Sequence, residues 1–333
     1  MGNKLAMRAA ALLGVFVSAA VVMGADKRPI PVIFDTDIGD DIDDTWALGF
    51  LLKSPELDLK LVVGDQGKAR YRAALIAKML ERAGRTDVAI GIGLEVNATG
   101  GGGQSAWVAT YDLAKYPGTV HEDGVGAIID TIMRSPETVT LIAVGPLPNI
   151  ATALAREPRI AEKARFVGMH GSVRKGYGGK AAIDAEYNVK ADPGACRAAL
   201  SAPWDVTITP LDTCGLVVLK GAKYAKVRDT RDPVAAAIIE NYRAWSSGDP
   251  KAPDERSSVL FDTVAVYLAF ATELMVMERI GIRVADDGKT LIDPAAKSMN
   301  VATAWKDLGA FEDFLVARLT GPYPSRPAPA PKP

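Results

Sequence analysis

The sequence predicts an α/β fold in which an open, mainly parallel sheet carries helices on both of its faces. First, short apolar runs alternate with helix-like segments along the chain. Second, the apolar runs are continuous, which is typical of parallel strands buried on both faces. Third, no internal repeat and no linker divides the chain after its N-terminal segment. We therefore expect a single domain over residues 26–321.

The expected elements follow one another in strand–helix order. The predicted strands are Pro31–Phe34, Leu57–Val63, Val88–Ile92, Val139–Val144 and Arg165–Met169. The predicted helices are Asp44–Leu52, Arg70–Gly84, Gly126–Arg134 and one that begins near Ile150. Ligands of open α/β sheets bind outside the carboxyl ends of the strands. We expect three polar segments that follow strands to meet there: the aspartates after Phe34, Gly145–Asn149 and Met169–Gly171.

Both ends of the chain are predicted to lie outside this domain. Lys4 and Arg8 precede an uncharged apolar run, Ala9–Met23, as in a secretory signal peptide that spans residues 1–25. An uncleaved anchor helix is the alternative. After cleavage we expect a periplasmic or secreted protein that has no membrane segment. Residues 322–333 hold six prolines and are predicted to form a disordered tail.

Charge and cysteine content narrow the class of protein. The 333 residues carry a formal net charge of −1. Binding of nucleic acid usually needs a basic surface, so we expect no nucleic acid partner. The two cysteines, Cys196 and Cys214, have no His or Cys partner at metal-ligand spacing. They form either one disulfide or two buried free thiols.

The most informative segment is an aspartate cluster. Six aspartates occupy the ten positions from Asp35 to Asp44, with no Lys or Arg among them. Such carboxylates repel one another and raise one another's pKa, and a cation would remove that repulsion. Oxygen ligands without Cys or His favour Ca²⁺, or the more strictly octahedral Mg²⁺, over zinc. The sequence therefore predicts a site for a divalent metal, either Ca²⁺ or Mg²⁺.

Helix capping, an EF-hand loop and a phosphotransferase motif account for the cluster less well. Capping explains one or two aspartates, or at most three, but not six. An EF-hand loop needs Gly at its sixth position, where this segment has Asp40. A strand followed by Asp-x-Asp is also found in haloacid-dehalogenase-type phosphotransferases, which are a rival class of enzyme. The segment is more acidic than a phosphate pocket should tolerate.

Four segments, in this order, resemble the inosine/uridine-preferring nucleoside hydrolase family. They are Phe34–Leu48, with the sequence FDTDIGDDIDDTWAL, then Gly145–Ala151, Ala185–Pro193 and Phe261–Val266. The resemblance implies a Rossmann-like core and a tightly held Ca²⁺. It also implies hydrolysis of ribonucleosides to ribose and free base, by a homodimer or homotetramer.

The resemblance implies roles for individual residues. Asp37 is expected to bind the metal and to act as general base. The other expected metal ligands are Asp44, Asp262 and the backbone carbonyl of Pro148, which stands where Thr is usual. The expected ribose contacts are Asp43, Glu186 and Asn188, and Asp41 is a spare carboxylate that could reach metal or sugar.

The sequence departs from the family pattern around the leaving base. Many members carry a His, associated with protonation of the base, where this chain has Phe261. His170, at a predicted strand end, is a candidate substrate contact in its place, and His121 is a weaker one. Tyr187, Tyr242 and Trp245 could stack on the base, although core packing is the simpler role for them.

Two further departures concern the acidic part of the site. The family's common signature is two residues shorter between Asp37 and the aspartate pair, and the second strand ends in Gly64-Asp65, where Gly-Asn is frequent. Because the base-binding half departs most, an exported ribosyl-binding protein with weak or lost catalysis is an alternative to an active enzyme.

Overall fold

The computed structural model describes residues 28–96 and 102–322. The predicted signal peptide and nearly all of the predicted tail lie outside these residues. The described part contains one long sheet with the strand order β4-β3-β2-β1-β5-β6-β7-β10-β8-β9. Its strands are β1 Ile30–Thr36, β2 Leu57–Gly64, β3 Ala89–Ile92, β4 Val120–His121, β5 Val139–Ala143, β6 Ala164–Met169, β7 Val206–Thr209, β8 Met275–Val284, β9 Thr290–Ile292 and β10 Ser298–Trp305.

Most of the strand pairs are parallel. Every pair from β4 across to β7 is parallel, and β10 adds to β7 in the same direction. Strands β8 and β9 extend the sheet beyond β10 by antiparallel pairing. The predicted open, mainly parallel sheet is therefore confirmed. The antiparallel edge was not predicted from the sequence, in which no strand was assigned after Met169.

Helices cover both faces of the sheet. They are α1 Asp43–Leu52, α2 Ala69–Arg82, α3 Ser105–Val108, α4 Gly124–Arg134, α5 Pro148–Arg156, α6 Ile160–Lys163, α7 Tyr187–Ala191, α8 Pro193–Ser201, α9 Gly221–Arg228, α10 Pro233–Trp245, α11 Ala252–Glu255, α12 Thr263–Leu268 and α13 Leu308–Thr320. Among the described residues, no helix has the length and apolar character needed to cross a membrane.

The central strand β1 separates two apolar cores. Its residues Val32 and Phe34 pack with the helices α1, α2, α10, α12 and α13 on one face. Ile33, between them, packs with α4, α5 and α8 on the other face. Both sides are buried, so every residue of the run must be apolar. Full burial of such a side chain stabilises the fold by roughly 1.5–3 kcal/mol.

The strand order changes direction at β1. The chain passes from β1 outward to β2 on one side and later returns to place β5 on the other. Asp35, near the carboxyl end of β1, lies opposite Val63 of β2 and Ala143 of β5. Such a switch in strand order leaves a crevice outside the strand ends, which is where open α/β sheets bind ligands. The aspartate cluster follows β1 directly into this crevice.

Candidate active site

The aspartate loop, residues 35–44, is a tight turn between β1 and α1. Gly39 has a φ of +116°, and a side chain there would collide with the ring of Tyr71. Only glycine adopts this conformation without strain. Helix α1 begins after Ile42, and no side chain caps it. The structure therefore does not support helix capping as the reason for the cluster.

Three buried carboxylates converge beneath this loop. Ligand oxygens of Asp43, Asp44 and Asp262 all lie within 4.8 Å of one another. Burial, together with the charges of neighbouring aspartates, raises the pKa of all three well above the ordinary range. A hard divalent cation has the charge and the ligand preference to stabilise such a cluster. The oxygen-only set fits this kind of ion and offers nothing to a metal that needs nitrogen or sulfur ligands.

Asp37 is close to this triad but is not part of its tightest grouping. Its charge raises the pKa of Asp43, Asp44 and Asp262. Burial raises the pKa of Asp37 itself to about 7, and the charge of Arg72 opposes that change. A carboxylate with a pKa near neutrality is suited to accept a proton at working pH.

A cavity of about 430 Å³ opens over these carboxylates. It is lined by Asp37, Asp40, Asp41, Asp43, Asp44, Val144, Met169, Tyr177, Glu186, Tyr187, Asn188, Trp245, Phe261 and Asp262. Of the three polar segments that were predicted to meet at the strand ends, the aspartates and Met169–Gly171 contribute to this lining, whereas Gly145–Asn149 does not. The lining divides into an acidic floor and a group of aromatic side chains, a mixture suited to a ligand with one polar and one flat apolar part.

Glu186 and Asn188 are held by the backbone around the cavity. Glu186 accepts hydrogen bonds from the backbone N–H groups of Asn188, at 2.7 Å, and Gly171, at 2.9 Å. Burial nevertheless raises the pKa of Glu186 to about 7. Asn188 donates through Nδ2 to the carbonyls of Val144, at 2.8 Å, and Met169, at 3.0 Å. These contacts fix both side chains before any ligand arrives.

A second layer of polar groups supports the loop from below. Asn149, in the turn of residues 145–149, donates to Asp35 at 2.9 Å and to the Gly64 carbonyl at 3.2 Å. Asp65 is fully buried here, and both of its carboxylate oxygens have no hydrogen-bond partner among the described residues. Burial and the charges of Asp35 and Asp37 raise its pKa well above the ordinary range. The departure from Gly-Asn thus adds a carboxyl group to an acidic layer.

Arg72 is a site residue that was not predicted from the sequence. It lies in α2, and its guanidinium donates to the carbonyls of Asp37 and Ile38 and to the carboxylate of Asp40. It lies 32 positions from Asp40 in sequence, so local spacing gave no sign of it. The sequence predicted a helix over Arg70–Gly84, and an arginine on a buried face of that helix would have been the available signal.

Two of the predicted site residues are not at the cavity. His170 is fully buried, contacts the Gly145 carbonyl through Nε2 at 3.0 Å and does not line the cavity. Burial lowers its pKa to about 4. Successive residues of a strand face opposite sides, so its neighbour Met169 faces the cavity instead. The expectation that His170 contacts substrate is therefore corrected.

Pro148 begins α5, is buried and does not line the cavity. The residue of this segment that does line it is Val144, at the end of β5. The carbonyl of Val144 accepts a hydrogen bond from Asn188, and it has a second lone pair. The geometry therefore favours the Val144 carbonyl over that of Pro148 as a backbone ligand.

The remaining candidates separate into cavity and non-cavity residues. His121 is exposed on β4 and lines a different surface cavity, next to Glu122 and Asp123. Tyr242 is buried against Trp245 and does not line the acidic cavity, which agrees with core packing. Cys196 and Cys214 are both free and buried.

No histidine is among the described residues that line the cavity. One part of the lining is aromatic instead. Phe261 meets Tyr177 edge to face, with ring centroids 6.2 Å apart, and Tyr187 and Trp245 also line the cavity. Aromatic faces bind flat heterocycles by stacking. Residues that can stack on a flat ligand are therefore present, whereas the described lining offers no histidine as a proton donor.

An acidic, oxygen-lined cavity with aromatic walls at the switch point of a parallel sheet defines a site for small polar ligands with a planar group. Comparisons with known proteins agree. The sequence model described as "Inosine-uridine preferring nucleoside hydrolase" matches residues 32–312. The chain therefore belongs to the inosine-uridine preferring nucleoside hydrolase family. It is an N-ribosyl hydrolase of the glycosidase class.

Named relatives include two nucleoside hydrolases. The inosine-uridine preferring nucleoside hydrolase of Leishmania major is 30% identical over 275 residues, which is 78% of this chain and 85% of the relative. The non-specific ribonucleoside hydrolase RihC of Escherichia coli SMS-3-5 is 31% identical over 229 residues, which is 65% of this chain and 73% of the relative.

Solved structures support the fold. The plant nucleoside hydrolase PpNRh1 matches with a TM-score of 0.76 at 23% identity, over 88% of this chain and 100% of that chain. The purine-preferring ribonucleoside hydrolase from Gardnerella vaginalis matches with a TM-score of 0.71 at 24% identity, over 87% of this chain and 98% of that chain.

Proposed function

We propose that this protein hydrolyses the N-glycosidic bond of ribonucleosides to ribose and free base, and that it does so with a bound Ca²⁺ ion. The observation that carries the proposal is the grouping of Asp43, Asp44 and Asp262 with Asp37 in one buried cavity. Relatives named as ribonucleoside hydrolases support the reaction. Family membership also argues against the phosphotransferase alternative.

In this proposal the acidic floor holds the ion. Asp37, Asp44 and Asp262 supply carboxylate ligands, and a backbone carbonyl at the end of β5 adds another. A bound Ca²⁺ would orient a water molecule and lower its pKa. Asp37 is the general base of this proposal, because its carboxylate lines the cavity beside the carboxylates that would hold the ion and can accept a proton from the attacking water.

The other cavity residues act on the sugar and on the base. Asp43, Glu186 and Asn188 accept hydrogen bonds from ribose hydroxyls or donate hydrogen bonds to them, and Asp41 is a further acceptor. Their fixed positions orient the sugar for attack. Carboxylates around the ribose stabilise the positive charge that develops as the C–N bond breaks. Phe261, Tyr177 and Trp245 surround the departing base.

The test is ribose release from a panel of nucleosides, including inosine and uridine. Protein dialysed against EDTA is assayed without metal, with Ca²⁺ and with Mg²⁺. Restoration by Ca²⁺ at lower concentration than by Mg²⁺ is the expected result. Release that is unaffected by EDTA would argue against the metal, and no release from any nucleoside would argue against the reaction.

One observation keeps a second candidate function in view. Because the described cavity residues include no histidine and Phe261 occupies the position of the usual acid, the protein could bind nucleosides tightly and turn them over slowly. Calorimetric titration with inosine distinguishes the two functions. Micromolar binding without ribose release supports a binding protein, and ready turnover rules it out.

We also propose that the protein acts outside the cytoplasm and as a homodimer or homotetramer. The N-terminal sequence supports export, and the family resemblance supports assembly. Cell fractionation with N-terminal sequencing of the mature chain tests the first, with cleavage expected near residues 24–26. Light scattering coupled to size-exclusion chromatography tests the second.

A further inference from the structure

Arg72 is placed behind the aspartate loop rather than in the cavity. Its side chain is 2% exposed, and it does not line the cavity that a ligand would enter. Nε donates to the Gln66 carbonyl at 2.7 Å, Nη1 to the Asp37 and Ile38 carbonyls, and Nη2 to the Asp40 carboxylate at 2.9 Å. Every nitrogen of the guanidinium is engaged by the protein itself. A ligand in the cavity therefore does not use it.

The surrounding backbone is shaped to admit this side chain. A Cβ atom built on Gly64 would lie 2.7 Å from Arg72 Cβ, and one built on Gly67 would lie 2.9 Å from Arg72 Nη2. Larger residues at these two positions would displace the arginine. Gly64 ends β2 and Gly67 lies in the segment that links β2 to α2, so one guanidinium holds this part of the chain and the aspartate loop together.

The charge of Arg72 acts on a strongly acidic interior. Asp35, Asp37, Asp43, Asp44, Asp65 and Asp262 are all buried. No Lys or Arg is among the described residues that line the cavity. Arginine stays protonated over the whole physiological range, so this positive charge is permanent.

We propose that Arg72 is a positioning residue that takes the place of part of the metal's charge, so that the aspartate loop keeps its shape when no metal is bound. The inference rests on the proposed metal site. Without metal, Arg72 opposes the repulsion among the carboxylates. When metal is bound, the ion and Arg72 both oppose this repulsion, so the stability of the protein depends less on the arginine. Removal of Arg72 should therefore harm the metal-free protein more than the metal-loaded one.

The test is the rise in melting temperature that Ca²⁺ produces, measured by calorimetry in EDTA and in saturating Ca²⁺. In Arg72→Met we expect this rise to exceed that of the wild type by ~5 °C or more, given the size of the chain. In Arg72→Lys, which keeps the charge but has fewer donors, we expect lower melting temperatures in both conditions and a Ca²⁺-dependent rise close to that of the wild type. Folding of Arg72→Met only in Ca²⁺ would be the strongest form of the expected result.

A control separates this effect from loss of an arginine that is only structural. Arg165, half-buried near the start of β6, donates to Thr140 and to the Ala269 carbonyl. Arg165→Met should lower the melting temperature equally with and without Ca²⁺. If Arg72→Met does not fold in either condition, the comparison passes to Arg72→Gln, which is also neutral but keeps a donor.

An equal or smaller Ca²⁺-dependent rise in the neutral variant overturns the proposal, because Arg72 would then be an ordinary structural side chain. This failure differs from failure of the proposed function. If Ca²⁺ does not stabilise the wild type either, the metal site itself is wrong and the inference about Arg72 is overturned with it.

Discussion

Asn149 donates a hydrogen bond from Nδ2 to Asp35 Oδ2 at 2.9 Å, across 114 positions of sequence. The same amide group contacts the Gly64 carbonyl at the end of β2. One side chain of α5, the helix that follows β5, thus joins the ends of β1 and β2 below the aspartate loop. Both partners are fully buried, so water cannot replace either one.

Asn149→Ala should therefore destabilise the protein. A buried acceptor left without its donor typically costs ~1–3 kcal/mol, and chemical denaturation would show this loss. Asn300→Ala is the control, because Asn300 makes only a long contact of 3.5 Å with Thr207 on a partly exposed strand. Equal losses in both variants would contradict the importance of the contact with Asp35.

Asp37→Asn should reduce kcat strongly. The amide keeps the shape of the side chain but cannot accept a proton, and loss of general base catalysis is typically worth ~10²–10⁴-fold. Steady-state ribose release measures it. Asp41→Asn is the comparison: Asp41 is more exposed and already accepts from the Ile42 N–H at 2.6 Å, so a smaller effect is expected. If Asp37→Asn retained full kcat, Asp37 would not be the general base.

The metal-free protein should lose stability as pH rises. Burial raises the pKa values of Asp35 and Asp37 to about 7 from an ordinary value of 3.8. The folded state therefore binds more protons than the unfolded state between these values, and its stability falls as pH increases across this range. Melting temperature in EDTA, measured from pH 5 to 8, should fall.

Ca²⁺ should weaken or reverse this trend, because the ion replaces the protons that the carboxylates release. Asp37→Asn should reduce the slope in EDTA, since one of the titrating groups is gone. A melting temperature that rises with pH in EDTA would show that burial does not raise the pKa values of these carboxyls.

Phe261→His should speed the release of poor leaving bases. A histidine at this position would stand beside the aromatic part of the cavity, where the described residues offer no other histidine, and general acid assistance can contribute ~10²-fold or more. The measurement compares kcat for uridine with kcat for p-nitrophenyl riboside, whose leaving group needs no proton. Phe261→Leu is the control for loss of the ring. Equal changes for both substrates would argue against acid assistance.

Gly145→Ala should disturb the site through sterics alone. A Cβ atom there would lie against the carboxylate of Asp65 and 2.8 Å from Asp37 Oδ1, so at least one carboxyl must move. We expect weaker Ca²⁺ binding in calorimetric titration. Gly215→Ala is the matched control, since its Cβ would make an ordinary contact of 3.6 Å with Phe261. Unchanged Ca²⁺ affinity in Gly145→Ala would contradict the close packing of this glycine against the two carboxyls.

The sequence predicted the parts of the fold that follow from regular patterns. Continuous apolar runs identified β1, β2, β5 and β6, and the density of aspartates identified the loop that follows β1. The antiparallel extension formed by β8 and β9 was not predicted because buried and exposed residues are mixed along these strands, as the burial of β8 shows. Their pattern is weaker than that of a fully buried strand.

Details of the site depended on geometry that spacing alone does not give. The prediction for His170 placed a residue correctly at a strand end but on the wrong side of it. Arg72 could not be assigned because its contacts bring together segments far apart in the chain. Asp262 and Glu186 were identified from the sequence because each belongs to a motif in which several neighbouring residues resemble the family.

The ion pair of Arg72 with Asp40 has a consequence for how this protein changes over generations. Asp40 lies in the stretch between Asp37 and Asp43, for which the resemblance to the family implies two extra residues. It is the carboxylate that accepts a hydrogen bond from Arg72, whose other donors go to backbone carbonyls. Among descendants and cousins, we expect the arginine to be kept more strictly where the longer loop is kept. A lineage that lost only the longer loop would leave Arg72 with its backbone partners but without its ion pair.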